Sequence, residues 1–559
     1  MRELPWQPAD RRNLVLLFLA TALLSAIQIH WHQPPAEDAL MLLRYATHFA
    51  HGQGITWNIG DKPVEGATDF LWMATIGVAM KLLHTGAILT SRVLLILSHA
   101  LDVVIVYTIS RRLFGSGRAL AIGLAIYLMI GPAIPLTNDS FSPAFYALAA
   151  LGAWWCALHI VVRGTTTGAV WGFALLGLIT GMIRPDGVLL AVFMLVDIVF
   201  ALATMDRRKE IPRIVLTFAA VMVLLGGAYF LWRWHYFGYP LPNPFYRKGG
   251  GHIYPDSLHR SALNVTKLLL PTMPIAALAL LKGEWRRTIF VYLPAALFAC
   301  SWILLTNENN SNMRFQYVTL PITLVTFPWL IAAVRQHVPG AFDFKLSESQ
   351  KLAFTLVITL VAGGLYWRVL LFYPIGKLGS GAYEIAHGLH QWKDRHYTMA
   401  VTEAGVIPYF SEWRVIDAYG LNDSEIVHNP KGLTDAYLDA NKPAVIMLHL
   451  SPGVTGYDGF VRAWRGEAPV LSGPSQYMVS LAHYAATHNY ELAARWGDHT
   501  CNVHIWYVRR DIPEFNPILK LIRHQPHYFL DDGISSYNYL DDTPPAGCSD
   551  PGFSIPASS

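Results

Sequence analysis

Apolar runs long enough to cross a bilayer recur through the first two thirds of the chain, at 13–30, 88–110, 118–135, 143–162, 167–183, 187–203, 213–234, 262–281, 288–305, 316–334 and 351–372. A hydrocarbon core takes roughly 20 helical residues, and a backbone inside it must satisfy its own hydrogen bonds. Eleven such runs therefore predict a bundle of membrane helices. Composition agrees, with 53% hydrophobic and 14% charged residues against about 25% charged for a soluble domain. A formal charge of +4 gives no case for nucleic acid as a partner.

Orientation follows from the basic residues. Arg2, Arg11 and Arg12 precede the first run and no small-residue cleavage site follows it, so it reads as a retained helix entering from the cytoplasm. The run at 69–84 is ambiguous. If it lies along the outer interface, the clusters Arg111-Arg112-Arg118, Arg207-Arg208-Lys209 and Lys282 with Arg286-Arg287, together with Arg163 and Arg335, all fall on the cytoplasmic side. Counting it as a span puts most of them outside.

The expectation is thus an α-helical polytopic protein with about eleven transmembrane helices in residues 1–372. A first extracytoplasmic loop at 31–87 holds interfacial helices, and an extracytoplasmic α/β domain occupies 373–559. In that domain NKPAVIMLHL and CNVHIWYVRR read as buried strands. Cys156 and Cys300 lie in apolar spans as packing residues, while Cys501 and Cys548 share the polar C-terminal part and are free to pair there.

On this topology the polar loops without basic clusters share one face: 33–68, 137–143, 183–187, 233–250 and 306–315. Arg184, Arg233 and Arg314 each sit within a residue or two of a span end, and Arg247 and Lys248 join them. Snorkelling accounts for one or two such residues; the set suits a phosphate or another anion. Glu37 and Asp38 follow the first span directly, where a general base meets a hydroxyl arriving from outside. The plain alternative is that the pair favours the N-terminal end of the helix DALMLLRYATHFAHG. Arg44, six positions beyond Asp38, is not forced to pair with it. His48 and His51 read as surface residues, having no third ligand at a recognisable spacing. Glu65 is a further carboxylate of the same loop.

EDALMLLRYATHFAHGQGITWNIGDKPVEGATDFLW resembles the first periplasmic loop of GT-C glycosyltransferases of the group that includes the mycobacterial terminal arabinofuranosyltransferases. There a paired acid is followed by RYA, a G-x-G-x-x-x-N turn and V-E-G-x-T. IRPDG at 183–187, YFGYPLPNPFYRK at 236–248, Arg314-Phe315 and EAGVIPYFSEWRVIDAYGLND at 403–423 extend the resemblance to about residue 425. It implies a multi-pass enzyme of the bacterial plasma membrane, N-terminus inside, active site and C-terminal domain periplasmic. Such an enzyme moves a sugar, arabinofuranose on this resemblance, from a polyprenyl-phosphate lipid with inversion. The acceptor is a glycan, a lipid-linked glycan or a pilin-like protein.

By position the resemblance makes Asp38, with Glu37, the catalytic pair. Our inference adds Arg184, Arg233, Arg247, Lys248 and Arg314 as donor-phosphate ligands, and Glu65, Asp139, Asn243 and Tyr246 as acceptor contacts. Where relatives carry G-[LM]-E-T this chain has Ser140-Phe141-Ser142-Pro143, so Ser142 replaces the acid and Asp139 is the nearby substitute. A divalent metal stays open, with Glu37, Asp38, Glu65 and Asp139 as oxygen donors. Two other classes remain: a lipid or glycan transporter, which needs polar residues inside its spans, and a non-catalytic glycan-binding protein, for which Tyr409, Trp413, Tyr419 and Trp506 offer rings that equally suit a core.

Overall fold

The computed structural model describes residues 7–248, 250–307, 309–338, 346–371, 381–450, 474–497, 503–525, 528–529 and 535–538. Each of the eleven apolar runs falls on helix over most of its described length. Among the described residues, seven helices are long and apolar enough to cross a membrane: α4 (Ala87–Arg112), Pro143–Arg163, Asp186–Thr204, Arg208–Phe237, Pro255–Leu281, Trp285–Leu304 and Glu348–Leu370. The other four runs fall on shorter or more polar helices, namely α1 (Pro8–Gln28), Arg118–Met129, Thr167–Ile183 and Thr319–His337. The run expected at 118–135 breaks after Met129, at Gly131-Pro132, because proline cannot continue the ladder of the preceding turn. Charges were expected only at the span ends, yet Asp102 and Asp197 lie fully buried within α4 and Asp186–Thr204. Neither carboxylate has a hydrogen-bond partner among the described residues.

The first loop folds into two helices, α2 (Glu37–Ala50) and α3 (Phe70–Leu83). With 14 residues, α3 is about 21 Å long at 1.5 Å per residue, short of a bilayer core. It packs under α2, and Gly77 permits the approach: a Cβ there meets Phe49 at 2.6 Å and the Ala46 carbonyl at 3.0 Å.

The C-terminal part holds a seven-stranded sheet of order β2-β1-β3-β5-β4-β7-β6. Its strands are β1 (Thr398–Val401), β2 (Arg414–Asp417), β3 (Val445–Leu450), β4 (Tyr490–Gly497), β5 (Val503–Arg509), β6 (Tyr528–Phe529) and β7 (Ser535–Asn538). β1 pairs in parallel with β2 and β3, and the remaining pairings are antiparallel. The two strands expected from sequence are β3 and β5. Trp413 and Trp506 are buried core residues. The boundary expected at 372/373, Cys501 and Cys548 lie outside the described residues; Cys156 is half-buried and Cys300 exposed on its helix.

The first loop and the sheet domain are locked together by buried polar contacts. Arg44 donates to the carbonyls of Trp57 at 2.9 Å, Trp413 at 2.8 Å and Pro408. Asn58 behaves as an extra strand: its amide nitrogen donates to the Val415 carbonyl at 3.0 Å and its oxygen accepts from the Val415 amide at 2.9 Å. Together with the Trp57 indole on the same carbonyl, at 3.1 Å, it covers β2, the edge of the sheet. Glu37 gives both carboxylate oxygens to backbone amides, those of Gly405 and, at 2.8 Å, Val406. Gly405 must be glycine here, since a Cβ lies 2.2 Å from the Glu37 carbonyl oxygen.

Removing Arg44 leaves buried carbonyls unpaired, at about 1–3 kcal/mol each. Arg44→Met and Gly405→Ala are therefore both expected to speed amide hydrogen exchange across 414–417 by tenfold or more, on the order of 1.4 kcal/mol. Unchanged exchange in both variants means that these contacts do not hold the domain in place.

Candidate active site

Asp38 occupies the second position of α2, whose N-cap, Ala36, supplies no side-chain bond. Its carboxylate makes a 2.5 Å ion pair with Arg314 and stays 40% exposed, while Arg314 is 7% exposed. Rings enclose the guanidinium, whose carbon lies 4.0 Å from the centre of Phe141 and 4.9 Å from that of Phe315. Its Nε is buried without a hydrogen-bond partner among the described residues. Burial works against charge on Asp38, but Arg314 and, at longer range, Lys248 outweigh it and hold the carboxyl below the usual range. Asp38 is thus an ionised acceptor open to a ligand.

Arg314 stands on a constrained loop. Asn309, Asn312 and Met313 have φ of 54°, 50° and 58°; asparagine tolerates this region, and methionine adopts it at a cost. Side-chain amides stabilise the turn. Asn310 donates to Gln316 at 2.7 Å and Asn307 at 2.8 Å while accepting from the Phe315 amide at 3.0 Å. Gln316 in turn donates to Ser261 at 3.1 Å.

Asp139 ends the short helix Ala133–Asn138 beside this pair. Burial pushes its carboxyl up to about 6, against the pull of Asn138, Arg314 and Arg92. Arg92 is fully buried in α4 and pins the start of the first loop, donating to the carbonyls of Gln33 at 3.0 Å and Asn138 at 3.1 Å.

The remaining expected residues divide. Arg184 pairs with Asp186 at 3.0 Å and Asp69 at 3.5 Å. Arg233 pairs with Glu65 at 2.7 Å, and burial raises the Glu65 carboxyl although that arginine offsets part of the effect. Both arginines are therefore already neutralised by carboxylates. Asn243 donates its backbone amide to the Glu65 carbonyl at 3.0 Å and its side chain to Ser424 at 3.3 Å, a tie between loops. Tyr246 packs edge-on to His428, 4.8 Å between ring centres. Arg247 lies over Tyr419 at 4.8 Å and Tyr477 at 5.5 Å, with its Nε buried and without a partner among the described residues. Glu37, as above, faces the sheet domain with both oxygens taken. Asp38, Arg314, Asp139 and Lys248 gather; the other expected residues serve neighbouring contacts.

Several residues were missed. The Ser142 hydroxyl donates to Asp69, so an acid does stand beside the SFSP turn. Asp69 directly follows the quoted V-E-G-A-T segment, which was the available signal. Gly66 in that segment is required by crowding, since a Cβ meets the Asn422 side chain at 1.9 Å. His48 is buried, not superficial, with Nδ1 2.8 Å from the Thr56 carbonyl. Among the described residues, a group of three donors able to hold a metal forms from Glu403, His449 and His504 and not from the first-loop acids. A cleft of about 870 Å³, lined among others by Asp61, Lys62, Tyr239, Asp423 and His428, opens between the first loop and the sheet domain.

A family described as Domain of unknown function (DUF8728) matches residues 377–512. No curated protein matches the sequence. Among solved structures, ArnT from Cupriavidus metallidurans in the apo state aligns over 89% of this chain and 98% of its own, at TM-score 0.55 and 13% identity. The same protein bound to undecaprenyl phosphate aligns over 88% and 98%, at 0.55 and 14%. The archaeal oligosaccharyltransferase AglB from Archaeoglobus fulgidus, in complex with an inhibitory peptide and a dolichol-phosphate, aligns over 91% and 75%, at 0.50 and 10%. All three share one architecture. This chain shares its fold with these structures.

Asp139 gives a pH test. A folded value of about 6 against an ordinary 3.8 means that the folded state binds the extra proton between those values, so stability falls as pH rises through that window. Asp139→Asn removes the penalty. Its melting temperature is expected to match the parent at about pH 4 and to exceed it above about pH 6, as measured by differential scanning fluorimetry in detergent. A constant offset across that range contradicts an Asp139 that titrates in the folded state with a raised pKa.

Proposed function

We propose that this chain is an inverting membrane glycosyltransferase that takes a sugar from a polyprenyl-phosphate lipid and transfers it to an acceptor hydroxyl on the extracytoplasmic face. The carrying observation is Asp38, an ionised and half-exposed carboxylate held by Arg314 at the head of α2. The GT-C fold supports the reading, as do the lipid phosphates bound to ArnT and AglB. Arabinofuranose is the first sugar to test, on the strength of the paired-acid and V-E-G-x-T segments.

In the step proposed, the acceptor oxygen attacks the anomeric carbon as the bond from that carbon to the phosphate oxygen breaks. The hydroxyl proton passes to Asp38, and polyprenyl phosphate leaves as an anion held by Arg314 and Lys248, with Arg247 nearby on the same segment. Stabilising the leaving charge lowers the barrier directly. Arg314 has a double part, because a phosphate drawing on its guanidinium loosens its hold on Asp38 and makes that carboxylate a better base. Arg184 and Arg233, spent on Asp69, Asp186 and Glu65, position the loops. The cleft between first loop and sheet domain is the entry proposed for the acceptor, a glycan, lipid-linked glycan or pilin-like protein.

Transfer of radiolabelled sugar from synthetic polyprenyl-phosphate arabinose across an acceptor panel tests this reading. Asp38→Asn is expected to lower kcat by about 10²–10⁴-fold, the usual contribution of a general base, with donor binding retained. A variant within about tenfold of the parent removes Asp38 from the chemistry. A parent inactive with every polyprenyl-phosphate sugar and acceptor tried removes the transferase reading.

A further inference from the structure

The sheet domain carries a second cluster of chemically capable side chains that the transfer step does not use. Glu403 lies two residues beyond β1, His449 near the end of β3 and His504 near the start of β5. Because β1 and β3 run parallel and β5 antiparallel to β3, all three fall at the same edge of the sheet. This is the edge formed by the carboxyl ends of the parallel strands, where open α/β sheets hold ligands. His449 and His504 are direct partners in the β3–β5 register, so their side chains rise on one face, with ring centres 4.3 Å apart and nearly perpendicular.

Glu403 faces both imidazoles. One of its oxygens meets Nδ1 of His449 and the other lies 3.5 Å from Nε2 of His504. His504 is 2% exposed, whereas Glu403 and His449 are 13% and 15% exposed, so the cluster is closed behind and open at one side.

We propose that Glu403, His449 and His504 form a binding site for a divalent transition-metal ion of the zinc class. Two imidazoles and one carboxylate are a donor set that zinc takes with a fourth position left open. Donors around a tetrahedral zinc stand roughly 3.3 Å apart, given bonds of about 2.0–2.1 Å. The three donor atoms here lie within 4.8 Å of one another, a spread that small side-chain rotations close. An ordinary ion pair needs one histidine; placing a second, buried one across the strand pair on the same carboxylate is what a metal site requires.

The site also has a physical route to the transfer centre. Glu403 is two residues before Gly405, whose amide holds Glu37, the neighbour of Asp38. A bound ion fixes the turn after β1 and with it the anchor of α2. This assignment is independent of the transferase reading, and its test needs no substrate.

Full-length protein purified in detergent and stripped with chelator is titrated with Zn²⁺, desalted and assayed by elemental mass spectrometry, with parallel titration by Co²⁺. The expected result is about one retained equivalent per chain and the intense visible bands of low-coordinate Co²⁺. Zn²⁺ is also expected to raise the melting temperature of the stripped parent. The His449→Ala/His504→Ala variant and the milder Glu403→Gln should retain at least about tenfold less metal, with no thermal shift on adding it, while Asp38→Asn retains the full equivalent. Should the double variant fail to elute as a folded monodisperse species, the Co²⁺ spectrum and thermal shift of the parent decide. Retention in the parent no higher than in the variants, or only the pale spectrum of six-coordinate Co²⁺, shows a carboxylate–imidazole hydrogen-bond cluster and overturns the proposal.

Discussion

Successive residues on an α-helix point about 100° apart, and at the head of α2 that rotation divides two adjacent carboxylates between two tasks. Glu37 turns to the sheet domain and is consumed by the amides of Gly405 and Val406. Asp38 turns to Arg314 and remains open on its other side. Arg44, almost two turns further on, adds three backbone carbonyls to the same junction. The helix that presents the candidate base is therefore fixed by the domain above it, and any movement of the turn after β1 reaches Asp38 through one side chain.

That arrangement bears on why Arg184 and Arg233, near the ends of their helices, are already paired. On the proposed reading the cavity must carry positive charge for a lipid phosphate, but an unpaired guanidinium near a bilayer is costly. Here Arg184 and Arg233 are neutralised by Asp69, Asp186 and Glu65. Among the described residues Arg314 makes its ion pair with the half-exposed Asp38 and is bounded by ring faces.

The multi-helix membrane character was legible because a bilayer imposes length and hydrophobicity on every crossing segment, and seven of the expected runs fall on helices long and apolar enough to cross. β3 and β5 were legible as short apolar runs bounded by turn residues. The places that misled are those where a local rule met a long-range contact. Residues 118–135 read as one apolar run until Gly131-Pro132 broke it, while Asp102 and Asp197 vanished into strongly hydrophobic stretches. The pairing of Asp38 with Arg314 spans 276 residues, and no periodicity reports on a contact of that separation. Asp69 was overlooked for a different reason: next to the V-E-G-A-T segment it read as the start of a helix, and only the folded turn at Ser142 makes it the local acid.

The loop carrying Arg314 shows how such a site is kept in place. Three left-handed residues within five positions are not what a free chain selects, and Met313 gains nothing from the conformation by itself. The offset comes from Asn307, Asn310 and Gln316, whose amides bond to one another, to Ser261 and to the loop backbone. Amides suit this work because each both donates and accepts without carrying charge, so the network stiffens the loop while leaving the local field to Asp38, Asp139, Lys248 and Arg314. The guanidinium of Arg314 is thus held by its ion pair with Asp38 and by the ring faces of Phe141 and Phe315, on a loop that neutral amides stiffen. On the proposed reading, a charge fixed in this way is the preorganised group that electrostatic stabilisation of a leaving phosphate requires.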